Sequence, residues 1–103
     1  MSANTENLLY VCVLEKTKLH NKTTKALATK HVEFLRDLDD NGKLALCGIS
    51  KGYPGVAGMI ILKAENLEEA KEICKVEPLT EAGHTIVKVS ALQVADRENN
   101  YLL

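Results

Sequence analysis

The chain of 103 residues has no tryptophan, one phenylalanine and three tyrosines. That scarcity excludes a nucleic-acid surface of the stacked-base kind, which needs several aromatic platforms. Charge of one sign is lacking too: 13 Lys and Arg stand against 14 Asp and Glu, a formal net charge of −1. Phosphate neutralisation needs clustered positive charge, so neither nucleic acid nor an anionic membrane surface is expected as a partner. Long hydrophobic runs are missing, since those at 8–14 and 56–62 are too short to cross a bilayer. The polar opening, Met1 to Asn7, has neither the basic nor the apolar region of a signal peptide. Three cysteines, Cys12, Cys47 and Cys74, show neither metal-clip nor redox-pair spacing. They read as small core residues of a reducing compartment, which points to the cytoplasm.

Hydrophobic residues make up 46% and charged residues 26%, the balance of a folded globular chain. The length suits one domain over 1–103, with its core at about 8–92 and a polar tail over 93–103. Leu8–Leu14 is a continuous apolar run with β-branched and aromatic members, as in a strand buried on both faces. A helix is expected over 23–41, ending where Gly42 can take the left-handed position past a helix C-terminus. Lys43–Ile49 and Val56–Leu62 read as strands around the turn residues Ser50–Gly55. Gly58 inside the latter marks a bulge or a close approach by another group. Asn66-Leu67-Glu68-Glu69 resembles a capping box, with Glu69 reaching back to the cap. The helix it opens, over 67–75, buries Leu67, Ala70, Ile73 and Cys74 and must stop before Pro78. Thr85–Leu92 alternates and is rich in Val and Ile, a last strand.

The order β-α-β-β-α-β gives an α+β, ferredoxin-like fold: a four-stranded antiparallel sheet, order 4-1-3-2, with both helices on one face. The first strand shows no polar side for the other face. A second copy of the chain, sheet against sheet, is expected to cover it, and the terminal Tyr101-Leu102-Leu103 to pack across to that partner.

One residue breaks the first helix's pattern. Leu27, His31, Leu35 and Leu38 fall on one seam, widened by Ala28, Val32 and Phe34, so His31 stands where a leucine is called for. An imidazole there points to the core or to a cavity, and it titrates near neutral pH. The ordinary outcome is a core-edge histidine with one hydrogen bond; the alternative is a working site.

His31, the turn Gly42-Lys43-Leu44, Gly48, the helix start Asn66-Leu67-Glu68-Glu69-Ala70, the pair Glu77-Pro78 and the valine-rich last strand occur in an order that resembles the YciI-like family over about 8–92. The resemblance implies a dimeric α+β barrel with a cleft centred on a histidine and an aspartate. The histidine falls on His31. The aspartate of the family's Asp-Pro pair is here Glu77, one methylene longer, and the family's Gly-Pro after the second strand is Gly48-Ile49.

A carboxylate beside an imidazole fixes the ring tautomer and favours the imidazolium. His31 and Glu77 are therefore the candidate catalytic pair, a general acid/base for a small organic ligand in lyase, dehydrohalogenase or isomerase chemistry, with neither metal nor cofactor expected. The alternative is a non-catalytic small-ligand-binding or stress-related accessory protein using the same cleft. By itself, Glu77 would read as a solvated residue at a helix end. Tyr53, in a glycine-flanked loop, and Gly48 are candidate substrate-binding residues. Tyr10 reads as packing. His20 and His84 make no metal-ligand spacing with His31.

Overall fold

The computed structural model describes residues 7–103; the opening over 1–6, read above for the lack of a signal peptide, lies outside the described residues. Apolar alternation builds the sheet: β1 (Leu8–Lys16), β2 (Leu44–Ile49), β3 (Val56–Leu62) and β4 (Thr85–Gln93), all neighbours antiparallel, in the order β2-β3-β1-β4. Helices α1 (Lys25–Asp40), α2 (Leu67–Lys75) and the one-turn α3 (Pro78–Glu81) lie on one face, giving the α+β ferredoxin-like arrangement. No helix among the described residues is long and apolar enough to cross a membrane.

Tyr10, Cys12 and Leu14 of β1 point to the helices and are buried with Ile60 and Leu62 of β3, Leu38 of α1, and Ala70 and Cys74 of α2. Tyr10 is thus a packing residue. The alternate side chains of β1 are only half-buried, so the continuous apolar run does not make a strand covered on both faces within one chain. On that open face Leu46, Met59, Ile86 and Leu92 are exposed. The run reads as doubly buried because Val11 and Val13, which face away from the helices, are as apolar as the residues that face them.

Local signals set most boundaries. Thr24 caps α1, its hydroxyl accepting from the Leu27 N–H at 3.1 Å. The helix ends with the Lys43 N–H donating to the Leu38 carbonyl and the Gly42 N–H to Asp39, with Gly42 at φ 72°. This double closure satisfies the last carbonyls through a left-handed glycine. Asn66 caps α2 through the Glu69 N–H at 2.8 Å. The expected reach of Glu69 back to Asn66 lands one residue earlier, on the Glu65 N–H at 2.8 Å, and its other oxygen takes Lys43. Ala28 and Val32 are exposed instead of widening the buried stripe of α1, and Val32 lines a cavity beside the helix.

The approach of another group to Gly58 is real. A Cβ there would collide with the backbone carbonyl of Gly48 across the β2–β3 ladder. Beside it, the β1–β3 register shifts between Leu14 and Glu15.

Candidate functional site

Glu77 is built into the turn that stops α2. Pro78 cannot continue that helix, but its fixed φ suits the first position of a new one, and Glu77 becomes the N-cap of α3. One carboxylate oxygen, Oε1, accepts from the Thr80 N–H and the Thr80 hydroxyl, both at 3.0 Å. Oε2 accepts from the Leu79 N–H at 2.8 Å. The same Oε2 meets Nδ1 of His31 at 2.7 Å. Glu77 is only 1% exposed, and the His31 side chain is 23% exposed.

Burial pushes the Glu77 carboxyl up. The His31 hydrogen bond, the Leu79 N–H, the His31 charge and the Thr80 contact together outweigh it and hold the group below its ordinary value. It is a carboxylate at neutral pH, so Nδ1 of His31 is the donor and carries the proton. Nε2 is left for a ligand.

The ring of His31 lines a cavity of about 350 Å³ between α1 and the β2–β3 edge of the sheet. Its walls are largely apolar, among them Leu14, Val32, Leu35, Ile60 and Leu79, with Gly48 and Gly58 contributing main chain. His20 and Cys47 also line it. An apolar space of this size with a few polar atoms has the character of a small-molecule site.

Of the sequence candidates, His31, Glu77 and Gly48 belong to this site. Tyr53 does not line the cavity; it is 70% exposed on the β2–β3 connection. Sequence reading missed α3, although an acid before a proline is a helix-start signal, and it missed His20 as a cavity residue. The polar connection after β1 gives no periodicity from which its direction could be read. His84 lies apart from the cavity, its Nδ1 2.8 Å from the Thr23 hydroxyl. Among the described residues no three His, Cys, Asp or Glu side chains cluster closely enough to hold a metal ion.

The fold is similar to that of the 5-chloro-2-hydroxyhydroquinone dehydrochlorinase from Burkholderia phenoliruptrix AC1100, solved in complex with 2,5-dihydroxybenzoquinone. The TM-score is 0.70 at 17% sequence identity, covering 89% of this chain and 99% of that one. No curated protein matches the chain. Residues 8–93 match the YCII-related domain, and the chain therefore belongs to the YCII-related family.

Proposed function

We propose that this protein is an acid/base enzyme of the lyase or isomerase type acting on a small hydroxylated cyclic compound. His31 is its proton-transfer residue and Glu77 the carboxylate that orients it. The observation that carries this reading is the 2.7 Å hydrogen bond between His31 Nδ1 and Glu77 Oε2, formed at the wall of an apolar cavity. The bond commits Nδ1 and leaves Nε2 as the basic atom, and the buried carboxylate stabilises the imidazolium formed when Nε2 takes a proton. In a dehydrochlorination of a chlorinated hydroquinone, Nε2 takes a hydroxyl proton and the imidazolium returns it to the chlorine-bearing carbon, giving the keto tautomer. Loss of the second hydroxyl proton then drives chloride out with its bonding pair and leaves a quinone. In an isomerisation the imidazolium returns the proton to a different atom. The fold shared with a dehydrochlorinase supports the first of these.

The test is chloride release from chlorinated hydroquinones. The wild-type protein should turn over, and His31→Ala should lose about 10²–10⁴ of the rate, the usual contribution of a positioned general base. Equal rates in the two proteins would remove His31 from the chemistry. A second reading, binding without turnover, is favoured by how Glu77 is used: its bonds to Leu79 N–H, Thr80 N–H and Thr80 hydroxyl also serve to cap α3. Saturable binding without chloride release or isomerisation would favour it.

The working unit in this proposal is a homodimer joined through the open sheet face. Leu46, Met59, Ile86 and Leu92 are 64%, 45%, 55% and 46% exposed on that face. At about 25 cal/mol per Å² of apolar area, covering it is strongly favourable. Sedimentation at micromolar concentration should report a dimer, and a charge at Met59 should dissociate it; a monomeric wild type would overturn the assembly. Three free thiols, Cys12 and Cys74 of them buried, support a reducing compartment such as the cytoplasm.

A further inference from the structure

The connection between β1 and α1 carries an imidazole that the fold itself does not use. His20 lines the same cavity as His31. Its side chain is half-buried, and neither ring nitrogen has a hydrogen-bond partner among the described residues. Its main chain, by contrast, is held firmly. The His20 N–H donates to the Thr17 carbonyl at 3.1 Å, and the His20 carbonyl accepts from the Thr23 hydroxyl at 2.7 Å and the Thr23 N–H at 3.2 Å. The Thr17 hydroxyl donates to the Gly83 carbonyl at 2.6 Å, which ties the connection to the start of β4. Because the Thr23 hydroxyl proton is committed to His20, the 2.8 Å contact with His84 Nδ1 is a donation from the His84 ring.

A ring whose two nitrogens have no partner among the described residues is thus presented on a braced turn beside an otherwise largely apolar space. Side chains with no structural hydrogen bond on a preorganised backbone are the groups that fix ligand orientation in apolar pockets. We propose that His20 is a second ligand-contacting residue. It takes a hydrogen bond from a polar substituent other than the one that meets His31, and so selects rings carrying two oxygen substituents over rings carrying one. This inference rests on the ligand cavity of the proposed function and deepens it by naming the residue that reads the second substituent.

The electrostatics agree with an accepting role. Burial, with Lys16 and His84 nearby, pushes the His20 imidazole below its ordinary value, so the ring is neutral at neutral pH and has one lone pair to offer. The geometry also separates the two histidines' duties. His31 has a carboxylate to stabilise its charged form, and His20 has none.

Binding of hydroquinone and of phenol, followed through the ring resonances of the two histidines, tests this on the wild-type protein and on His20→Phe and His20→Asn. Phenylalanine keeps a ring of similar size and removes both nitrogens; asparagine restores one hydrogen-bonding atom near the position of Nδ1. Wild-type protein should bind hydroquinone about tenfold more tightly than phenol, the effect of one hydrogen bond. His20→Phe should abolish that preference while leaving phenol binding unchanged, and His20→Asn should restore part of it. If His20→Phe keeps the preference, or if hydroquinone shifts the His31 ring and not the His20 ring, the role of His20 is overturned and the His31 cavity stands. If neither probe shifts the His31 ring, the cavity reading falls and this inference falls with it.

Discussion

Thr80 directs both its backbone N–H and its hydroxyl to one oxygen of Glu77, Oε1, at 3.0 Å each. That leaves Oε2 for His31 and the Leu79 N–H. The Thr80 hydroxyl also lies 3.0 Å from that of Thr85, buried at the start of β4. One carboxylate therefore joins α1, the start of α3 and, through Thr80, the sheet.

The first prediction follows from that junction. Thr80→Val keeps the shape and the N–H but deletes the hydroxyl. Stability should fall by about 1 kcal/mol for the lost hydrogen bonding, with the buried Thr85 hydroxyl adding to the cost. A urea unfolding curve reads it, and an unchanged midpoint would remove Thr80 from the junction.

The second concerns acid. The Glu77 carboxyl is held below its ordinary value of 4.5, so the folded state binds its proton less readily than the unfolded state. Its stabilisation is therefore fully present above that value and is lost as pH falls through the lower value of the folded protein. Glu77→Gln should be less stable than wild type at about pH 7, by about 1–3 kcal/mol for a buried group that loses a charged hydrogen bond. The gap should close as pH falls below the ordinary carboxyl value and through the lowered value of the folded protein, where the wild-type carboxyl takes up its proton. A gap that stays constant with pH would show that the carboxylate charge contributes nothing.

Thiol chemistry supplies the third. Cys12 and Cys74 are buried with their sulfurs 2.7 Å apart, Cys74 donating. That hydrogen bond and burial push the Cys74 thiol far above its ordinary range. Cys47 is exposed on β2. Since the thiolate is the reactive form and access is required, Cys47 alone should react quickly with a disulfide reagent in the native protein. The other two should react on unfolding. Fast labelling of Cys12 or Cys74 would contradict this placement.

The reach of sequence reading can be judged residue by residue. The strands, the long helix and the cap at Asn66 follow from period and capping chemistry, which are local. His31 stood out because it broke a local period, and Glu77 because a family resemblance placed an acid there. What stayed hidden depends on distant parts of the chain. Tyr53 sits in a glycine-flanked loop that suits a ligand contact, but it is exposed and does not line the cavity. His20 sits in a segment without periodicity, which is tied to the start of β4 from Thr17 to Gly83 and from Thr23 to His84. The exposure of Val32 reflects the gap between α1 and the sheet, a tertiary property that the apolar pattern of one helix does not encode.

The fourth prediction tests the cavity's main-chain wall. Gly58→Ala places a methyl group against the Gly48 carbonyl, and β2 must move away. Overpacking of this kind costs about 1–3 kcal/mol. Amide resonances of β2 and β3 should shift, and ligand binding should weaken. A substitution without effect on either would show that the strands can part freely.

Gly58 also bears on how this site could change its ligand. Where two backbones touch, the dimension of a pocket is set by hydrogen-bond spacing and not by rotamers, and backbone spacing varies little. The β2–β3 wall therefore acts as a fixed gauge. Variation in the size of the molecule accepted is least disruptive on the opposite wall at Val32 of α1, which lines the cavity and is largely exposed, so that a change of side chain there disturbs little of the core.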